Sequence, residues 1–545
     1  MIDGAETSLP RAAGTIVVGA GPAGAVLAAR LAEAGEDILL LEAGPDYGPP
    51  GSGRWPERLL DPTLMPVEEH SWGYISACQH GTPDMALQRA RVIGGCSAHN
   101  GCAAVWGHRS DYDTWAVENP GWSAADVEPL FREVDTRLRV HIPAREDLTP
   151  FHHAVLDAAA NAGYPFIPDL SSLDPEFGFA IGPVNIDPTT RVRWNASFAY
   201  LDPIRDLPNL RIAGDTLVDK VTLSGGRVTG LEVITRLVTN APHESAIPPA
   251  VPPSPIAMGL GAEEGGRRVR AHIATERVIL AAGAYGSPLI LLRSGIGAAD
   301  ELRAAGIDTM HDLPGVGRNL QDHPAIGVHY EGRPETIEAL EAFIAAGGLP
   351  REEGTIGLAR SSRCEGPYDL HLYPVASHPF AGKGWRFHIS GAVMCPRSRG
   401  TIHLNPDAPR DPAAAPVIDT NYLSDDGDYD LDALTDALAL CRDLGAQPAL
   451  AALFASELTP GPAVNSREQI RDWLLTHASH DYHPAGTCRM GPAGDAASVV
   501  DASGRVHGLE GLLVGDAAIM PFVTLANTNL PTFVGAEKVA RDLQA

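Results

Sequence analysis

The chain has 545 residues, 44% hydrophobic and 20% charged, with a formal net charge of −27. That length exceeds one compact core, so roughly three or four units of about 150 residues, or one intertwined α/β enzyme, are expected. The acidic balance argues against nucleic acid or anionic lipid as partner, both of which require a basic footprint.

No apolar run approaches the roughly 18 residues of a membrane span. Residues 1–14 are short and polar for a secretory signal, so a cytoplasmic protein with no membrane partner is expected. The seven cysteines are scattered and include no C-x-x-C pair, which predicts reduced thiols rather than a disulfide framework or a structural zinc site.

In chain order, Gly14–Val18 reads as a buried parallel strand. Gly19-Ala20-Gly21-Pro22-Ala23-Gly24 follows, then a small-residue helix over Ala25–Ala34 and a second strand, Asp37–Leu41, ending in Glu42. A G-x-G-x-x-G set between strand and helix, with an acidic residue 18 positions on, is the signature of an adenine-dinucleotide site. Gly19 permits the tight turn, Gly21 admits a pyrophosphate and Gly24 admits close helix packing. The helix N-terminus offers N–H groups to phosphates, and Glu42 can accept from both ribose hydroxyls. These residues alone leave NAD and FAD equally open.

Arg89–Gly107 is dense in small residues, around Arg91-Val-Ile-Gly94-Gly95-Cys-Ser97-Ala-His99-Asn100. Such a segment cannot build a core but can run its backbone against a flat ligand. Arg211–Val233 reads as a hairpin turning at Ser224–Arg227, and Ala241–Gly266, with six prolines, as a surface insertion. Glu276–Leu280 predicts a further strand ending in a turn, then a helix from Leu289 to Ser294. From about Ala325 to Ala449, alternating segments such as Asp369–Tyr373 predict an antiparallel sheet. His477, His480 and His483 crowd seven residues, yet Pro484 breaks any helix that could align them, so no metal site is expected.

Five ordered segments together resemble the glucose–methanol–choline (GMC) oxidoreductase family. They are Arg91–Asn100, Gly283–Gly297, Leu313–Pro324, His483-Pro-Ala-Gly-Thr487 and Gly515-Asp516-Ala517. The resemblance runs from Gly19 to about Lys538 and implies FAD rather than NAD. It implies an α/β fold: a Rossmann-like FAD-binding domain, discontinuous over 14–150, 195–325 and 480–545, and a substrate domain of 151–194 and 326–479 with an antiparallel sheet. The first segment departs from the commonest family pattern at Cys96 and His99, in the manner of choline oxidases, where the histidine at this place carries covalent FAD.

By the same resemblance His483 is the base that takes the hydroxyl proton, in histidine's natural range. Asn527 holds the substrate oxygen, although Asn527-Thr-Asn stands where relatives have Asn-Pro-Asn. Arg91, Gly94, Gly95, Ser97, His99, Asn100 and Asp516 are expected at the flavin, and Val218 supplies a backbone contact to adenine. His371, Tyr373, His378, His477 and His480 are candidates for the substrate space. Asp481 replaces a small or apolar residue, which would favour a cationic or polyhydroxylated alcohol or slow the reaction with oxygen. The expected activity is oxidation of an alcohol by hydride transfer to flavin N5, with oxygen or another carrier as acceptor. A lyase of the same fold with structural FAD is the alternative.

Overall fold

A computed structural model describes residues 9–77, 84–236, 268–379 and 384–545. The proline-rich stretch 241–266 lies outside the described residues. Thr15–Val18 and Ile38–Leu41 are runs without alternation, and every one of their residues is buried, as parallel strands covered on both faces must be. They sit inside a five-stranded parallel sheet in the order Leu512–Val514, Arg277–Leu280, Thr15–Val18, Ile38–Leu41, Leu210–Ala213. This is the Rossmann-like half of a mixed α/β fold.

The first helix spans Pro22–Glu33, with Gly21 as N-cap and Pro22 at its first position, where a missing N–H costs nothing. Gly19 has φ +97°, and a Cβ there would lie 2.4 Å from the Ala281 carbonyl oxygen. A Cβ on Gly24 would lie 1.8 Å from the Gly19 carbonyl oxygen. Both positions therefore exclude any side chain. The helix packs against the C-terminal helix Asn529–Gln544, where Arg30 donates two hydrogen bonds to buried Glu537, at 2.7 and 2.8 Å.

Two elements differ from the sequence-based expectation. Leu210–Ala213 pairs with Ile38–Leu41 as an edge of the parallel sheet, so the hairpin begins only at Leu217. Its strands, Leu217–Ser224 and Arg227–Arg236, turn through Gly225 and Gly226, both at positive φ, and Arg268–Ala274 adds a third strand. Second, the helix after Arg277–Leu280 starts at Gly283 rather than Leu289 and runs through Pro288 to Arg293. A proline inside a helix strands the carbonyl four residues earlier. Here that carbonyl belongs to Ala284, and the Thr487 hydroxyl donates to it at 2.6 Å.

The expected antiparallel sheet is the larger one, with eight strands. Its centre is Pro324–Gly332, Arg386–Val393, Leu370–Ser377 and Thr355–Ala359. A second core forms where Tyr429–Gly445 and Pro150–Asn161 cover this sheet. Ser479–His480 pairs with Pro324–Ala325 at one strand's start, which ties the C-terminal histidine motif to the 313–324 motif. Among the described residues no helix is long and apolar enough to cross a membrane.

The Thr487 contact makes a prediction. Thr487→Val keeps the side chain's shape but leaves the Ala284 carbonyl unsatisfied, which costs about 1–3 kcal/mol. Chemical denaturation should show an earlier midpoint with unchanged slope; an unchanged midpoint would mean that Pro288 needs no such partner.

Candidate active site

A cavity of about 730 Å³ lies between the two sheets, with Gly19, Gly21 and Glu42 at one end and Glu353, Tyr373 and His483 at the other. The dinucleotide end is built by backbone meeting backbone. Gly94 N–H donates to the Ala20 carbonyl at 2.8 Å, and a Cβ on Gly95 (φ +53°) would lie 2.6 Å from Gly21 Cα. The Arg91–Asn100 segment is thereby locked onto the glycine turn. The first turns of Pro22–Glu33, Gly283–Arg293 and Asn529–Gln544 all border the cavity, presenting partial positive charge to it.

Glu42 is buried, its two carboxylate oxygens accepting from the N–H groups of Ala20 (2.9 Å) and Gly44 (2.8 Å). Burial nevertheless pushes its carboxyl up to about 7. Asp516 accepts from the Gly283 and Ala518 N–H groups and the Ser287 hydroxyl, stapling the strand Leu512–Val514 to the helix Gly283–Arg293 at the cavity wall. Val218, His99 and Asn100 also line the cavity. His99 is 3% exposed with no hydrogen-bond partner at Nδ1, and burial, then Arg89 and Arg193, lower its pKa to about 3.

Three residues expected at the ligand stand behind the wall instead. Arg91 lies over the Trp72 ring, 5.5 Å from its centre. Gly94 faces the glycine turn, and the Ser97 hydroxyl donates to the Gly94 carbonyl and accepts from the Ala196 N–H. They shape the segment rather than the cavity surface. Arg89, which the sequence analysis did not single out, lines the cavity.

At the other end His483 meets a partner the sequence analysis did not name. His323 Nδ1 lies 2.9 Å from His483 Nδ1, and His323 Nε2 lies 3.0 Å from the Thr524 carbonyl. Burial lowers both imidazoles, His483 to about 3 and His323 well below its ordinary value, so both are neutral. A carbonyl can only accept, so His323 carries its proton on Nε2 and offers a lone pair at Nδ1. His483 must then carry its proton on Nδ1. Its Nε2 is bare, facing the cavity with the Asn527 amide nitrogen 3.2 Å away.

Asn527 is oriented in turn by the Tyr373 hydroxyl, which donates to Oδ1 at 3.4 Å and lies 2.7 Å from His371 Nδ1. Thr528 in place of proline leaves the Asn527 amide nitrogen 3.2 Å from His483 Nε2. Asp322 Oδ1 accepts from the backbone N–H groups of both His323 (2.8 Å) and His483 (2.7 Å), fixing the two rings relative to one another. His480 Nε2 donates to the Ala86 carbonyl at 2.9 Å and accepts at Nδ1 from the Tyr482 N–H, and with His477 it borders the cavity. His378 hydrogen-bonds the Pro379 carbonyl and lies outside the cavity lining. The ligand atoms of His323, Asp481 and His483 fall within 4.8 Å of one another, a cluster absent from the sequence reading because His323 is 160 residues away.

The GMC oxidoreductase amino-terminal pattern matches residues 13–247 and 251–325, and the carboxy-terminal pattern matches 396–536. The chain is a GMC oxidoreductase. It is 35% identical to an oxygen-dependent choline dehydrogenase of Stenotrophomonas maltophilia (strain R551-3), over 96% of this chain and 93% of that protein. It is 34% identical to mouse mitochondrial choline dehydrogenase, over 96% and 88%. Among solved structures, pyridoxine 4-oxidase from Mesorbium loti superposes with a TM-score of 0.79 at 27% identity, covering 97% of this chain and 99% of that one. Formate oxidase shares the fold at a TM-score of 0.80 and 20% identity, covering 99% of each chain. Family membership makes this protein an FAD-dependent alcohol oxidoreductase.

Proposed function

We propose that this GMC oxidoreductase oxidises a small alcohol bearing a cationic group, with His483 Nε2 as the base. The observation that carries this reading is the bare Nε2 beside the Asn527 amide. A hydroxyl placed between them gives its proton to Nε2 while the Asn527 N–H steadies the oxygen as it gains negative charge. Bound FAD supplies the hydride acceptor. Gly19, Gly21 and the first helix N-terminus would hold its diphosphate, Glu42 its ribose, and the Val218 backbone its adenine, with Gly24 as the packing glycine. Asn100 and Asp516 would border the flavin, and Arg91, Gly94, Gly95 and Ser97 would shape that wall.

The substrate class rests on two carboxylates. Glu353 lines the cavity, its carboxylate 3.1–3.3 Å from where a Cβ on Gly101 would sit. Among the described residues it makes no hydrogen bond or ion pair, and burial, then Asp481 and Glu352, push it up to about 8. Glu352 differs, being held by the Ser377 hydroxyl near Arg386. An unpaired carboxylate in a cavity with Tyr373 and Trp473 suits an ammonium group, which would draw Glu353 back to its charged form. The choline dehydrogenase relatives, named for a quaternary ammonium alcohol, support the same class.

The unpartnered, neutral His99 ring supports covalent attachment of FAD, since a neutral imidazole nitrogen is the nucleophilic form. Acid-denatured protein should keep its yellow colour, with the flavin mass on the peptide containing His99; flavin that washes free contradicts the link.

His483→Ala should slow anaerobic flavin reduction about 10²–10⁴-fold with little change in substrate affinity. Retained reduction would place the base elsewhere. Glu353→Gln should weaken binding of a cationic alcohol about 30-fold or more, corresponding to about 2 kcal/mol or more for a desolvated charge pair. Binding of a neutral alcohol should change little, and an equal loss for both would remove the cation subsite.

A further inference from the structure

We propose that Asp481 is a positioning residue for the base: its carboxylate offsets the positive charge that His483 acquires when it takes the substrate proton. This rests on the assignment of His483 as the base and extends it to the other side of the ring.

Asp481 Oδ2 lies 3.3 Å from His483 Nδ1, at ion-pair distance, and has no hydrogen-bond partner although it is buried. The turn that puts it there is over-determined. Asp481 N–H donates to the His323 carbonyl at 3.0 Å, Tyr482 takes the left-handed φ of +64°, and Asp322 holds the His483 N–H. A non-glycine residue in that conformation persists only when its surroundings enforce it. The result is a carboxylate and an imidazole two residues apart, fixed side by side.

The site needs such a group. His323 accepts the Nδ1 proton of His483 but is neutral and can supply no negative charge. Arg89, on the cavity wall, disfavours a cation at His483. When the substrate O–H bond breaks, the new N–H bond forms at Nε2 and the electron pair stays on the substrate oxygen, closing the carbonyl as the carbinol hydride departs to the acceptor that bound FAD would supply. The imidazolium left behind sits near Arg89 in a buried site. With Asp481 ionised, the dyad becomes a neutral ion pair; with Asp481 protonated, it becomes a net cation. The logic is that of the Asp–His pair in hydrolases, where the carboxylate stabilises the imidazolium without taking its proton.

Other charged and titratable groups lie around Asp481: Glu353 from the loop before Thr355–Ala359, Tyr373 from the larger sheet, Asp322 and His323 from the 313–324 segment, and Tyr482 and His483 from its own turn, while Arg89 lines the same cavity. Burial raises Asp481 to about 8. A raised carboxyl is ionised only above that value, so the charge-compensated form is lost as pH falls through about 8. The dyad titrates as a unit, and the rate of flavin reduction should rise with pH across that interval.

The test compares flavin-loaded parent and Asp481→Asn by anaerobic stopped flow between pH 6 and 9.5. The expected result is a loss of about 10²-fold at pH 9, the lower end of a positioned base's contribution, shrinking to a few-fold at pH 6. The variant's profile should be flat where the parent's rises. An unchanged rate, or an equal loss at every pH, overturns the proposal, the latter indicating a structural role only. A second readout needs no turnover. Infrared titration of the oxidised protein in a Glu353→Gln background should show a carboxyl deprotonating near pH 8 that disappears when Asp481→Asn is added. Persistence of that band overturns the proposal as well. A parent that no alcohol reduces would instead contradict the assigned activity, while the infrared titration would still decide the state of Asp481.

Discussion

Two neutral imidazoles sharing one proton between their Nδ1 atoms set the chemistry of this site. Because His323 Nε2 faces a carbonyl, the proton on each ring has only one place to be, and the lone pair that remains, at His483 Nε2, opens into the cavity. A histidine in water would divide its tautomers and be partly protonated near neutral pH. Here burial removes the charged form and a main-chain carbonyl removes the wrong tautomer. The proposed base is thus prepared before substrate arrives, which is what electrostatic preorganisation means in practice.

The fold delivers this pair by joining two chain segments 160 residues apart. Ser479–His480 adds to the edge of Pro324–Gly332, and Asp322 grips the main-chain N–H of each histidine. The same strand pairing sets the antiparallel sheet against the glycine-built dinucleotide end. There, side chains are excluded: Gly19, Gly24 and Gly95 each stand where a Cβ would overlap backbone. One wall of the cavity is therefore mostly main chain and helix N-termini, and the other is titratable side chains. A flavin on the first and an alcohol on the second would meet at His483 and Asn527.

Much of this was legible in the sequence because it depends on local pattern. Gly19, Gly21, Gly24 and Glu42 follow a fixed spacing along one βαβ unit, and the unbroken apolar runs give their strands away. His483 and Asn527 were legible through family resemblance alone. What escaped depends on long-range contact. His323 sits in a recognised motif, but its role appears only when Thr524 and His483 are placed around it. Glu353 lies in an ordinary charged run, Arg351-Glu352-Glu353, and nothing local marks it as the carboxylate left unpaired. Pro288 disguised a helix as a turn because the compensating hydroxyl, Thr487, is 199 residues further on. Arg91 and Ser97 belong to the motif yet serve its internal geometry, a distinction that spacing cannot make.

The tautomer of His483 is the point on which the account stands, and neutron diffraction from deuterium-exchanged crystals of the flavin-loaded protein at neutral pH reads it directly. Deuterium on His483 Nδ1 and His323 Nε2, with His483 Nε2 bare toward Asn527, is the result expected. Deuterium on His483 Nε2 would contradict it, because a ring protonated there could not take the hydroxyl proton of an alcohol.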